Sequence, residues 1–461
     1  MKAWEKIRTL TDNASPVILK EEEQTWTEAN DIEINMDKQL LHKWNSNVPG
    51  SFAPESIMVA AVQAKENMGF EVNNSMELIE KGFKAIKEKD MISLNSISAE
   101  LWHEINNASE NVSHSYWKYT RYESFDKFKE NVKFEEPVKI SYGRERLLKK
   151  MYSGWLSQII GGAFGTAMEG YTTNKIKEKL GDVRDYIREP NTFNDDITFE
   201  IAFLEAFLEK GCDITSKDVA LSWVGYVPTG WSAEEIAINN IKIGIMPPES
   251  GTKNNPFSDW IGAQMRGAIC GQLAPGDPME AARLAWIDGS VSHSNSGIIG
   301  EVFNAMLVSL SFVYDDVKLI LDKAINMLPK DSEYYEFANV AYTLCKKHDN
   351  WEEVFKKCEE KFIKYNWIHS YPNIMAEVVA LYYGNGDFNE TLHIVGMCGQ
   401  DVDCNAAQIM TAIGTIVESD NIEARWREKI GDRLDTYIRD KKVLSIKELA
   451  NKTLEAYEKR G

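Results

Sequence analysis

The chain has 461 residues, 43% of them hydrophobic, and 13 tryptophans, which is enough to bury a large core and excludes a disordered chain. Its formal charge of −19 excludes nucleic acid as a primary partner, because neutralising phosphates requires clustered Lys and Arg. The same balance favours binding of cations, and the length fits two domains or one large domain with an extension.

The opening residues, Met1 to Lys6, lead into charged and polar side chains with no apolar stretch, so no secretory signal is expected. No apolar run reaches the roughly 18 residues of a membrane span, so no membrane partner is expected either. The six cysteines (Cys212, Cys270, Cys345, Cys358, Cys398 and Cys404) form no CxxC pair and read as reduced thiols of a cytoplasmic protein.

Residues 1–143 read as a helical amino-terminal extension. Ser75 to Lys89 and Met91 to Asn107 carry apolar positions three and four apart. Trp26, Trp44, Trp102 and Trp117 are expected to anchor a small core. His42, His103 and His114 fall at no metal-ligand spacing and read as structural or surface residues. The stretch Phe134 to Gly143, bracketed by Pro137 and Gly143, reads as a linker. Beyond it, residues 144–461 alternate long helical stripes with Gly- and Pro-containing loops, and the expected class is all-α.

Gly154 to Gly170 is a run of small residues that lets a second backbone approach closely, and Glu169 stands at its end. A carboxylate there is either solvated or, if buried, in need of a partner. No Gly-Lys-Ser/Thr follows, so the run is not a phosphate loop. Next comes Asn194-Asp195-Asp196, placed just before a helical stripe of Ile197, Ile201, Leu204 and Leu208, with Gly211 as the stop. Residues 223 to 267 read as loop-rich, ending in a segment that sets Arg266 on an apolar surface. That arginine is expected either to pair with a carboxylate or to act as a fork for a phosphate, a sugar or the metal-binding acids. Ser290 to Gly297 precedes an apolar helix through Ile298, Val302, Met306 and Leu310, and its polar side chains and free amides suit an anion. His293, His348, His369 and His393, each taken alone, read as cap or core histidines.

Asp401-Val402-Asp403-Cys404-Asn405 repeats the acidic arrangement ahead of Ala406, Ile409, Ile413 and Val417. Either acidic pair alone reads as a helix cap. Together they place four carboxylates at positive helix ends. Four such groups held close require a counter-charge, which divalent cations supply.

In this order, the small-residue run ending in Glu, the Asp-Asp helix start, the Gly-x-x-Met-Arg segment, the Ser-His loop and the late Asp-x-Asp resemble the ADP-ribosylglycohydrolase family, which includes the dinitrogenase-reductase-activating glycohydrolases. The resemblance spans about residues 144 to 420 and leaves the extension outside. It implies an orthogonal multi-helix bundle with two Mg²⁺ ions (Mn²⁺ is the alternative) at the base of a cleft, and a metal-dependent hydrolase of the glycosidic bond of an ADP-ribosyl group on a protein or small molecule. Carried over by position, Asp195, Asp196, Asp401 and Asp403 would be metal ligands. Asn194 would stand where a threonine ligand is usual and would coordinate the metal through its amide oxygen, and Glu169, Asp195 and Asp403 would form the catalytic set. Arg266 and His293 would line the ribose-phosphate region, with Gly262, Met265, Ser292 and Gly297 beside them. Gly162 and Cys404 depart from the family's usual aspartate and threonine, and a thiol is a poor ligand for Mg²⁺. Segments such as Trp231 to Gly251 and Gly384 to Phe388 resemble a bacterial branch of the family. A nucleosidase-like hydrolase of a small N-riboside and a binding protein without catalysis are the two rival expectations.

Overall fold

Apolar side chains at helical spacing govern the architecture. In the computed structural model, which describes residues 2–25 and 28–460, helices take up most of the chain. Trp26, one of the expected anchors, lies outside the described residues. The described strands form three two-stranded antiparallel ladders, the first pairing Ser46–Asn47 with Pro54–Glu55. The class is all-α, as expected. Among the described residues no helix is long and apolar enough to cross a membrane, and all six cysteines are free.

Two long helices, Arg144–Gly165 and Val402–Val417, run against each other through the middle of the molecule. Their close approach follows from the small residues between them. A Cβ added at Gly161 would stand 2.6 Å from the backbone carbonyl of Ala406, and one at Gly165 would collide with the backbone of Asp403. Such backbone-to-backbone packing gives a straight seam with many dispersion contacts. Lys150, buried in the first helix, donates to the Thr415 carbonyl at 2.8 Å and ties the start of one helix to the end of the other. The helix Asn295–Ser311 is buried along its whole length and packs on the same assembly.

The stretch expected to be loop-rich contains the helix Ser232–Lys242, which buries Ala233, Ala237, Ile238 and Ile241. Pro228, Gly230, Pro247 and Pro248 crowd its two sides and mask its stripe in the sequence.

The amino-terminal region contributes the helices Glu28–Trp44, Ile57–Asn67, Ser75–Glu88 and Met91–Asn106. Trp44 is fully buried and its indole donates to Ser98 at 2.8 Å, whereas Trp102 and Trp117 are half-buried. Buried side chains of this region, Trp44, Ile57, Leu78 and Leu101 among them, belong to the same apolar cluster as the later helices. Phe134 to Gly143 crosses between the two parts without helix or ladder. It is fastened by the Val138 amide on the Gly276 carbonyl at 2.8 Å and by the Tyr142 hydroxyl on the Phe312 carbonyl at 2.8 Å.

Candidate active site

The two acidic motifs meet because each opens a helix of the central packing. Asp195–Lys210 begins with Asn194 as its N-cap, and Val402–Val417 begins with Asp401. Neither residue spends its side chain on capping its own helix. The Asn194 amide nitrogen instead faces Asp403 Oδ2 at 3.5 Å, bringing the two helix starts together. Ligand atoms of Asp195, Asp196 and Cys404 lie within 4.8 Å of one another, and those of Asp401, Asp403 and Cys404 form a second such group.

A third element completes the cluster. After Gly165 the chain turns through Thr166 to Tyr171, and this turn pairs with the residues ahead of Asp401. The Gly170 amide donates to the Gln400 carbonyl at 2.8 Å, and the Gln400 amide donates back to Tyr171 at 3.0 Å. Glu169 is thereby held beside the acids, half-buried. Asn373 secures the other side. Its amide oxygen accepts from the Asp401 amide at 3.1 Å and from Asn405 Nδ2 at 2.8 Å, and its own nitrogen donates to the carbonyls of Trp367 and His369. No spacing in the sequence points to Asn373, which sits on the separate helix Ser370–Gly384.

The electrostatics are those of carboxylates lacking a counter-charge. Burial is the main cause that raises every acid of the group. Asp403 is pushed up to about 7, with the charge of Asp195 adding to burial. Asp195 is raised. Asp196 and Asp401 are raised well above the usual carboxylate range, and their neighbours in the cluster add to burial. Glu169 is raised strongly too, by burial and then by the charges of Asp403, Asp401, Asp195 and Glu55.

The donor set fits a hard divalent cation. Asn194 Oδ1, Asp196 Oδ2, Asp401 Oδ1 and Asp403 Oδ1 are buried oxygens with no hydrogen-bond partner, a costly arrangement unless a ligand completes it. The Cys404 thiol is raised well above its ordinary range, first by burial. Its Sγ donates to Asp196 Oδ1 at 3.2 Å and touches Met265 Sδ at 3.8 Å. It serves as a donor that orients a carboxylate, so the set can hold a hard cation through oxygens alone.

A cleft of about 630 Å³ opens over the cluster. Asn194, Asp195, Glu169 and Asp403 line it together with Trp231 and Tyr437, and His42, Lys43 and Glu55 of the amino-terminal region line it too. Sequence reasoning missed these last three, because neither His42 nor Glu55 belongs to a motif.

Gly262, Met265, Arg266, Ser292, His293 and Gly297 lie apart from the cleft lining. Arg266 is 1% exposed. It binds Glu234 at 2.9 Å, Asp288 through a short ion pair, the Gly262 carbonyl, and Ser292 Oγ at 2.9 Å. Its guanidinium also lies over the Trp223 ring, 4.7 Å from the centroid. Of the two expectations for this arginine, the geometry is that of carboxylate pairing. His293, also buried, accepts from or donates to Ser292 at 2.7 Å, and burial holds it well below its ordinary range, so it is neutral. Gly262 and Gly297 give room for Glu234 and His293. The group supports the acidic helix starts from behind, through Met265 and Cys404.

A solved structure described as an ADP-ribosylglycohydrolase-related protein complex is similar, with a TM-score of 0.49 and 15% identity, over 69% of this chain and 100% of its own. No curated protein matches the chain. The family model for ADP-ribosylglycohydrolases matches residues 143–461, from the start of the glycine-rich helix to the end of the chain. With every motif of the acidic site inside that span, the chain belongs to the ADP-ribosylglycohydrolase family.

Proposed function

We propose that this protein is a metal-dependent hydrolase that cleaves the glycosidic bond of an ADP-ribosyl group carried by a protein or a small molecule. The observation that carries the reading is the set of four partnerless oxygens, from Asn194, Asp196, Asp401 and Asp403, at two helix starts that meet where Asn194, Asp195, Asp403 and Glu169 line one cleft. Asn194, Asp195, Asp196, Asp401 and Asp403 would hold two Mg²⁺ ions, or Mn²⁺. Cations bound there supply Lewis acidity and an activated water at neutral pH.

The chain's own groups then have separate tasks. Asp195 and Asp403 hold negative charge beneath the sugar, where an oxocarbenium-like transition state gains positive charge. Glu169 sits on the turn facing them. The first cause of its raised pKa is burial, which persists when the aspartates are neutralised. Its place beside the acids suits it to exchange a proton at the scissile bond. Arg266, Ser292 and His293 act indirectly by fixing the shelf beneath Met265 and Cys404.

Hydrolysis of ADP-ribosyl-arginine, set against a panel of free nucleosides, tests the reading. The expected result is Mg²⁺-dependent release of ADP-ribose, abolished by a chelator and by Asp403→Ala. Cleavage of the nucleosides with no turnover of the ADP-ribosyl substrate would overturn it in favour of a small-riboside hydrolase.

A further inference from the structure

The family match begins at residue 143, yet one side of the cleft is built by residues before it. The first ladder and its turn sit against both ends of the turn that carries Glu169. Gly50 packs so closely on Thr166 that an added Cβ would meet its side chain and, at 2.9 Å, its carbonyl. The Tyr171 hydroxyl donates to the Ser51 carbonyl at 3.2 Å, and a Cβ on Gly170 would come within 2.7 Å of Ala53. The same region reaches across to the Ser232–Lys242 helix. Lys43 pairs with Glu235 at 2.8 Å, the Trp231 indole donates to Glu55 Oε1 at 3.1 Å, and the His42 and Trp231 rings lie 5.2 Å apart at 59°.

These contacts fix Trp231 from the amino-terminal side. Its N–H is held by Glu55, one side is packed by His42, and the residue stays half-exposed on the cleft. Asp403 is buried in that cleft, Asp195, Glu169 and Trp231 are half-buried, and His42 is exposed. A ligand with its ribose at the acids shares the cleft with an aromatic pair whose orientation is set in advance. Rings held in this way stack on flat heteroaromatic groups, and pre-organisation lowers the entropy cost of doing so.

We propose that residues 39–55 are part of the substrate site, with Trp231 and His42 forming a stacking platform for the heteroaromatic base at the far end of an ADP-ribosyl substrate, and Glu55 acting as the positioning residue that holds the Trp231 indole. The proposal rests on the hydrolase reading above and extends it to the non-reacting end of the substrate.

Calorimetry of the full chain with Mg²⁺, using ADP-ribose and ribose 5-phosphate as paired probes, tests it. His42→Ala and Glu55→Ala are expected to weaken ADP-ribose binding by about 10-fold, the scale of losing one base-stacking contact. Ribose 5-phosphate, which has no base, should keep its affinity in both variants. Glu55→Gln, whose amide oxygen still accepts from the indole, should restore ADP-ribose binding, which a loss of fold would not allow. If Asp403→Asn abolishes binding of both probes while the extension variants leave their ratio unchanged, the platform is wrong and the hydrolase reading stands. If the wild-type chain binds neither probe, both readings fall together.

Discussion

The Cys404 thiol lies 3.2 Å from Asp196 Oδ1 and belongs to both groups of close ligand atoms, so the substitution most informative about the metal is made there. Serine keeps a donor for Asp196 and adds a hard oxygen that magnesium accepts. Cys404→Ser is expected to bind Mg²⁺ about 5-fold more tightly, by the preference of hard cations for oxygen over sulfur. Cys404→Ala should lower stability by about 1–3 kcal/mol, because a buried carboxylate loses its donor. Titration calorimetry and urea unfolding read the two effects separately, and weaker Mg²⁺ binding in the serine variant would mean that sulfur itself is a ligand. The acids of this site were legible in the sequence because both motifs open a helix and carboxylates at such ends follow a short, recognisable pattern. Asn373 and Glu55 were not legible. Each reaches the site through a tertiary contact from another element, and local spacing carries no trace of that.

The element that brings the acids together is the glycine-lined seam between Arg144–Gly165 and Val402–Val417. Adding one methyl group at Gly161 places it 2.6 Å from the Ala406 backbone carbonyl, which cannot move aside as a side-chain tip can. Gly161→Ala should therefore force the helices apart, costing about 1–3 kcal/mol as overpacked sites do, and should also weaken Mg²⁺ binding because Asp403 moves with its helix. A urea melt and a magnesium titration on one preparation check this. Gly225→Ala, on the helix Ser216–Tyr226 outside the seam, is the control, since nothing stands within 4 Å of a methyl added there. If the two variants behaved alike, the seam would not be what sets the acids in register. The small-residue run predicted a close backbone approach. Its partner helix could not be read from the sequence, because any small-residue face matches any other. The Ser232–Lys242 helix was hidden for a different reason: prolines and glycines flank a short stripe and outweigh it in a local reading.

Across the whole molecule, the excess of acid is partly internal, and this sets how stability depends on pH. Burial raises Asp259 to about 6, Asp403 and Glu234 to about 7, and Glu200 and Glu377 to about 8. A carboxyl raised in the folded state keeps a proton that the unfolded chain releases above about pH 4. The native state therefore binds more protons than the unfolded state across this window. The stability these groups contribute is present in full below pH 4 and is lost as pH rises through about 6 to 8. The metal-free protein is expected to unfold at lower urea at about pH 8 than at about pH 5. Magnesium acts on only part of this set. It offers the aspartates a counter-charge, so the stabilisation it adds should grow with pH as those groups give up their protons. Glu200 is held by Gln158 and Gln408, and Glu377 by Gln264 and Asn304. Both lie outside the cleft lining, so the decline they cause should remain with Mg²⁺ present. Unfolding midpoints at the two pH values, with and without Mg²⁺, separate these contributions. Asp403→Asn should remove most of the magnesium increment at about pH 8 and leave the residual slope of Glu200 and Glu377 in place. A magnesium increment of equal size at both pH values would mean that the ion does not replace protons at these acids, and the counter-charge account of the site would fail.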